Sequence, residues 1–176
     1  MVLCLLLAVA TATNTPLWTY SAGNKITTAV VMSVDYTTMY VGTSDQQVHA
    51  VRSDGSSMWT YNASAPISEN MALSYNGKTL YAGTCDNLHA INTQDGTETW
   101  TYNASACVTT KVVLSRHHNL VIFGTSDSRL HVVHTGGTQK WTFATDAIVR
   151  ATPQLSDHGK HVVVASDKVY ALHITD

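Results

Sequence analysis

The chain has 176 residues, a formal net charge of −2 at pH 7, and 44% hydrophobic but only 12% charged residues. This length is enough to bury the core of one domain, and three Pro and ten Gly are too few for a disordered or collagen-like chain. Positive charge is not in excess, and no apolar run approaches the roughly 18 residues that cross a bilayer. Neither nucleic acid binding nor a membrane span is therefore expected.

The amino terminus is predicted to be a secretory signal peptide over residues 1–12. Residues 2–10 are all apolar, and the small residues that follow offer cleavage patterns ending at Ala10 and Ala12. No Lys or Arg precedes the run, so a mis-assigned start or a fragment of a longer chain is the alternative. Secretion would remove Cys4 and leave Cys85 and Cys107 in an oxidising compartment.

Two Asn-Ala-Ser sequons, at Asn62 and Asn103, are predicted glycosylation sites. Both lie in the same repeated string YNAS, so they count as one observation. Together with the signal peptide they predict a secreted or endoplasmic reticulum lumenal protein.

A period of 41 residues organises the rest of the chain, residues 13–176, as one repeat domain. Tryptophan recurs at this interval, an aromatic residue follows each tryptophan two positions later, and a glycine and a serine recur with the same period. The recurring residues are Trp18, Trp59, Trp100 and Trp141; Gly42, Gly83 and Gly124, with Ala165 in the fourth place; and Ser33, Ser74, Ser115 and Ser156.

Each period is predicted to contain four short antiparallel strands, named A (innermost) to D (outermost). In the copy that begins at Ile67, Asn76-Gly77 and Asp95-Gly96 separate short apolar segments, which is the strongest local signal for a hairpin. Turns about every ten residues leave no room for long helices. The predicted fold is therefore an all-β β-propeller with four four-stranded blades.

These motifs resemble the pyrroloquinoline-quinone-type (PQQ-like) repeat family over residues 17–173. Its blades read Tyr-Val-Gly-Ser/Thr, then a hydrophobic strand, a turn and a tryptophan, as residues 40–43 and 48–51 do before Trp59. No Trp-Asp pair occurs, which disfavours a WD repeat. The resemblance implies that each tryptophan packs between neighbouring blades.

The two ends of the repeat region suggest how the ring closes. Residues 17–20 form a lone D strand and residues 148–173 an A-B-C set, so the N-terminal strand is predicted to complete the last blade and remove an exposed edge. The alternative follows from the resemblance, because PQQ-like rings usually have seven or eight blades. The chain would then be half a ring, and a homodimer is expected if the ring is not closed.

Enzymatic activity is not expected. For the PQQ-dependent dehydrogenases, the resemblance implies a much longer chain, a calcium ion held by carboxylate and amide groups, a catalytic Asp, and often two adjacent cysteines. Here Cys85 and Cys107 are not adjacent and no acidic cluster stands out. The prediction is a chain without catalytic residues or a cofactor.

The nine histidines raise the question of a metal site. His49, His89 and His131 occupy matching C-strand positions, which a propeller spreads around its axis, so they cannot converge on one ion. They are predicted to pack between blades, where the resemblance implies that tyrosine is usual. The A–B turns hold four more, which are predicted to be solvated rather than metal ligands: His117, His118, His158 and His161.

The repeated serines are predicted to be structural, because a catalytic nucleophile would be singular. Each one ends an A strand, where its hydroxyl can bond the local backbone.

Three charged residues break the repeat in the A strands nearest the axis: Glu69, Lys111 and Arg150. They could neutralise one another in a wet channel, or they could bind a small polar or anionic ligand at the channel mouth.

Cys85 lies in a B–C turn and Cys107 in the loop entering the next blade, and such loops share one face of a propeller. A disulfide between them is therefore expected, enclosing about 21 residues and contributing roughly 3 kcal/mol.

The predicted function is a non-enzymatic, secreted or lumenal protein-binding scaffold. The alternatives are an inactive, truncated relative of a quinoprotein dehydrogenase and a binder of a small polar ligand. The implied partner is a protein.

Overall fold

The computed structural model describes residues 15–67 and 71–174, which contain fifteen strands and no helix. The predicted signal peptide and Glu69 lie outside these residues. The strands form four antiparallel sheets, each a blade. In chain order, the strands of each blade are the predicted strands A, B, C and, in blades 1 to 3, D. Blade 1 contains β1 (Val31–Met32), β2 (Thr38–Gly42), β3 (Gln47–Arg52) and β4 (Ser57–Asn62); blade 2 contains β5 (Ala72–Leu73), β6 (Thr79–Gly83), β7 (Asn87–Asn92) and β8 (Glu98–Asn103); blade 3 contains β9 (Val113–Ser115), β10 (Leu120–Thr125), β11 (Arg129–His134) and β12 (Gln139–Ala144); and blade 4 contains β13 (Gln154–Leu155), β14 (His161–Ala165) and β15 (Val169–His173).

The core lies between the blades and not within any one of them. Three separate clusters of buried apolar side chains fill the junctions between blades 1 and 2, blades 2 and 3, and blades 3 and 4. At the first junction, Tyr40 and Val48 of blade 1 share a cluster with Met71 and Leu80 of blade 2. Because a single sheet has two apolar faces here, each blade depends on its neighbours to keep both faces from water. The predicted propeller architecture is confirmed.

The tryptophans at the first two junctions, Trp59 and Trp100, each join their blade to the next one, whereas Nε1 of Trp141 at the third is buried without a hydrogen-bond partner among the described residues. The indole Nε1 of Trp59 donates to the carbonyl oxygen of Thr93 in blade 2, and that of Trp100 donates to Thr135 in blade 3, both at 2.9 Å. The ring of Trp59 lies flat against Gly96, which has a φ of +74° in the turn between β7 and β8. The packing implied by the family resemblance is therefore present.

Gly42 and Gly124 of the second strands allow close approach of the segment that enters the following blade. A Cβ atom at Gly42 would lie 2.9 Å from the Cβ of Ile67, which enters blade 2. Any larger residue at this position would push the two blades apart.

The predicted closure of the ring is not what the structure shows. Residues 17–20 form no strand, and the sheet of blade 4 has three strands among the described residues. The N-terminal segment lies against blade 1 as a preceding D strand would, because Trp18 packs on Gly55 and the Tyr20 hydroxyl lies 3.0 Å from Nδ1 of His49, but it does not pair with the last strand of blade 4. Four blades are present, but their ends stay open, which agrees with the half-ring alternative.

No helix in the described part of the chain is long and apolar enough to cross a membrane.

Replacing Gly96 with alanine tests the tryptophan–glycine contact. The new Cβ would lie 2.7 Å from the Trp59 ring, and the left-handed backbone adds its own cost, so we expect unfolding free energy to fall by about 2–4 kcal/mol. Gly23→Ala is the control, since Gly23 has a φ of +77° but no described atom within 4 Å of its Cβ position. Urea denaturation should show a smaller loss for the control; equal losses would mean that the ring contact contributes nothing.

Candidate functional site

A groove opens between blades 2 and 3, on the side of the sheets that carries the A–B turns. The residues that line it include Tyr75 and Arg116, which stack on each other with the guanidinium carbon 4.5 Å from the centroid of the tyrosine ring. The Tyr75 hydroxyl donates to the carbonyl oxygen of Leu114 at 2.9 Å, which holds the ring in place. The Arg116 guanidinium covers one face of this ring. The groove encloses about 370 Å³.

The repeat places these two residues side by side. Tyr75 and Arg116 follow Ser74 and Ser115, so they occupy the same position in successive A–B turns. Neither residue was predicted from the sequence, because neither belongs to the recurring serines or to the strands near the axis. The available signal was that the residue after the serine changes in every copy.

The hydroxyl of Ser115 distinguishes the blade 3 turn from the others. In blades 1 and 2 the repeated serine donates to Asp35 or Asn76, and in blades 1, 2 and 4 it accepts a backbone N–H five residues later, as predicted. In blade 3, His117 occupies the position two residues after the serine, where blades 1 and 2 have the acceptor side chain. The buried Ser115 hydroxyl has no hydrogen-bond partner among the described residues. The predicted local hydrogen bond is therefore wrong for Ser115.

The composition of the groove suits recognition of another protein. Tyrosine and arginine are enriched at protein interfaces because they bury a large area and still form polar contacts. Polar side chains from Asn76, Asn119 and Thr135 line the same groove and can bond a partner's backbone.

The charged residues predicted near the axis do not share one site in the described structure. Lys111 is exposed and lines a cavity of about 340 Å³ between the first strands of blades 1, 2 and 3, together with Val30 and Met71. Arg150 is exposed and lines a different cavity at the free end of blade 4, near Asp167. Glu69 lies outside the described residues, so its predicted pairing stays a prediction.

The three C-strand histidines pack between blades, as predicted. Nδ1 of His49, His89 and His131 lies 3.0–3.1 Å from the hydroxyl of the tyrosine that ends the preceding D strand or segment. In blade 4 the same place is taken by Tyr170, whose ring centroid lies 5.2 Å from that of Phe143. Each of the three histidines therefore forms a hydrogen bond with a tyrosine hydroxyl beside the apolar side chains that fill the junction.

The hydrogen bonds around His131 fix its protonation. The Tyr102 hydroxyl donates to Oε1 of Gln139 at 2.7 Å, so it accepts from Nδ1–H of His131. Nε2 then carries the lone pair, and it is buried without a hydrogen-bond partner among the described residues. Burial lowers the pKa of His131 to about 4, because a second proton would place a charge in this apolar setting.

A carboxylate changes the equivalent contact in blade 2. Tyr61 donates to Oε2 of Glu98, and Nδ1 of His89 lies 3.1 Å from the same oxygen. Burial raises the pKa of Glu98, but the hydrogen bonds of Tyr61, Thr101 and His89 outweigh it and hold that pKa below its usual value. Burial and the Glu98 carboxylate together raise the pKa of Tyr61.

The remaining turn histidines do not gather into a metal site. His117 and His158 are exposed, and His118 is half-buried against Gly159. The described residues contain no group of three or more His, Cys, Asp or Glu side chains placed to hold a metal ion.

Cys85 and Cys107 are joined by the expected disulfide. Cys85 lies in the turn between β6 and β7, and Cys107 lies in the loop that leads into blade 3, where its carbonyl oxygen accepts from Ser126 N at 2.9 Å. The bond therefore ties blade 2 to blade 3. Asn62 and Asn103, the two predicted glycosylation sites, are both exposed at the ends of D strands.

The family of the outer membrane protein assembly factor BamB matches the chain over residues 5–176. The chain belongs to this family. Among solved structures, it is similar to BamB from Moraxella catarrhalis, with 19% sequence identity and a TM-score of 0.75. None of the curated proteins matches the chain.

The match to BamB from Moraxella catarrhalis covers 89% of this chain and 49% of that one. The chain thus spans about half the length of the solved BamB structure that it matches. At this identity the likeness establishes the propeller fold and carries no residue roles.

The low pKa of His131 predicts an acid dependence of stability in this BamB-family chain. Unfolding returns the imidazole to its ordinary pKa of 6.5. Between pH 6.5 and about 4, the imidazole is therefore protonated in the unfolded chain but neutral in the folded chain. Stability is therefore lost as pH falls through this window, by about 3 kcal/mol at most. His131→Gln should flatten the decline measured by urea denaturation from pH 7 to 4. His134→Gln, at an exposed position, should leave the slope unchanged; a slope insensitive to His131→Gln would contradict the assignment.

Proposed function

We propose that the chain is a non-enzymatic protein-binding scaffold, and that the groove between blades 2 and 3 is its binding surface. The observation that supports this most directly is the exposed pair of Tyr75 and Arg116 at an open groove with polar walls. The family supports it as well, because its namesake is an assembly factor for outer membrane proteins.

The physical basis of recognition is the prearranged stacking of the two side chains. Arg116 already lies over Tyr75, so little side-chain entropy remains to be lost when a partner covers them. The arginine still presents N–H groups that a carboxylate or a backbone carbonyl can accept. We therefore propose an extended or loop segment with acidic or carbonyl-rich character as the bound element.

Two other functions remain as alternatives. An inactive relative of the quinoprotein dehydrogenases would be expected to bind PQQ and calcium. Adding both to the protein should then raise its melting temperature. A small anionic ligand at the axial mouth would require Lys111 or Arg150, and Arg150→Ala would then remove binding. Arg150 does not line the proposed groove, so this substitution tests the axial site alone.

We also propose that the chain is secreted or lumenal and carries glycans. The disulfide between Cys85 and Cys107 and the exposure of both sequon asparagines support this route. The protein partners proposed here include a second copy of the chain, because the four blades do not close on themselves.

Photo-crosslinking tests the groove. With a benzoylphenylalanine probe at Asn119, which lines the groove, a defined partner should be captured from cells that secrete the chain. Tyr75→Ala and Arg116→Ala should each weaken this crosslink about tenfold or more, as expected for interface anchors. Tyr36→Ala removes a still more exposed tyrosine, from the blade 1 turn, and should have no effect. Equal capture by a probe at Ser64, in the loop that leaves blade 1 on the opposite side, would contradict the proposal.

Glycan removal tests the secretory route. Treating the secreted chain with an N-glycosidase should increase its gel mobility in two steps, one for each sequon. Asn62→Gln and Asn103→Gln should each remove one step, and the double variant should not respond. A chain that remains inside the cell with unmodified asparagines would contradict secretion.

A further inference from the structure

The outer face of blade 1 exposes side chains that are buried in every other blade. Ile26 is 44% exposed, whereas its equivalents at intervals of 41 residues, Ile67, Val108 and Val149, are at most 3% exposed. Val30 follows the same pattern, since it is 57% exposed and Met71 is 2% exposed. Blade 1 therefore presents an apolar face shaped for a preceding blade.

The free face of blade 4 shows the complementary pattern. Val169 is 73% exposed, but the residues that occupy the same register in the other blades, Val48, Leu88 and Leu130, are fully buried. Val163 of the neighbouring strand is also exposed, although its equivalents Tyr40, Tyr81 and Ile122 are not. Blade 4 therefore presents an apolar face shaped for a following blade.

These two faces are the two halves of the junction that recurs inside the chain. At each of the three internal junctions, the equivalent of Val169 and the equivalent of Ile26 fall in the same buried cluster. The pairs are Val48 with Ile67, Leu88 with Val108, and Leu130 with Val149. A blade 4 face placed against a blade 1 face would repeat this contact for a fourth time.

The strand edges match in the same way. β15 has no fourth strand beside it among the described residues, and the segment 17–20 lies where a D strand would precede blade 1. In the complete blades, Val48 is opposite Tyr61, Leu88 is opposite Tyr102, and Leu130 is opposite Phe143. The same register would place Val169 opposite Tyr20 of another molecule.

We propose that two copies of this chain form one closed ring, with blade 4 of each copy packed against blade 1 of the other. Within the described residues both end faces are open, and a second copy of the chain presents the matching face for each of them. Two copies suffice, because the four blades overlay about half of a BamB propeller of the same fold. The segment 17–20 of each copy then becomes the fourth strand of its partner's last blade.

The first test is the mass of the 176-residue chain in solution. Native mass spectrometry and light scattering should give twice the mass that denaturing mass spectrometry gives for the single deglycosylated chain, which is 19.0 kDa when all 176 residues are present. A monomer at concentrations up to about 100 µM would overturn the proposal, and so would a ladder of larger species, because both exclude a closed pair. This outcome does not depend on the groove, which Tyr75→Ala tests without altering either end face.

Charge complementation makes the test specific to the two faces. Val169→Glu alone, or Ile26→Lys alone, puts an uncompensated charge into both junctions and should weaken dimerisation by roughly a hundredfold or more. Both positions are exposed in the single chain, so circular dichroism should show that each variant still folds. Mixing the two variants should restore dimers, because one junction then pairs the new charges and the other is unchanged.

Val34→Glu is the matched control. It introduces the same charge at an apolar position that is 64% exposed in the A–B turn of blade 1, away from both end faces. It should leave the dimer intact. Dimers that persist in each single variant, or that fail to reappear on mixing while both variants are folded, would overturn the proposed arrangement.

Discussion

Burial of apolar surface between consecutive blades is the interaction on which this structure depends. No sheet has a core of its own, since the buried side chains gather at the three junctions. At the first two junctions the D-strand tryptophan covers a turn glycine of the next blade and donates to a carbonyl oxygen there, as Trp59 does with Gly96 and Thr93. At the third junction Nε1 of Trp141 is buried without a hydrogen-bond partner among the described residues. Stability in such an array is a sum of junctions, so the ends are its weakest points.

The repeat made most of the fold predictable from the sequence. A 41-residue period with turn signals identifies equivalent strands, and equivalence is enough to assign the histidines to packing roles and to bring Cys85 and Cys107 together. Closure was not predictable in this way. A period shows that residues 17–20 match a D strand, but it does not show whether this segment pairs with the last strand of its own chain, which the structure shows that it does not.

The groove was missed for a related reason. Tyr75 and Arg116 lie 41 residues apart, and their stacking depends on how closely two successive turns approach each other. Ser115 illustrates the same limit, because its hydroxyl loses its expected acceptor through a substitution two residues away. A repeat predicts what the copies share, whereas a binding surface arises where the copies differ.

The disulfide joins the same two blades that form the groove, but at the opposite ends of their strands. Cys85 and Cys107 hold the B–C side of this junction, while Tyr75 and Arg116 stand on the A–B side. Because a covalent link limits how far the two sheets can splay, the spacing between the groove walls is restrained before any ligand arrives. The redox state of the surrounding compartment thereby becomes a determinant of how well this surface is preorganised.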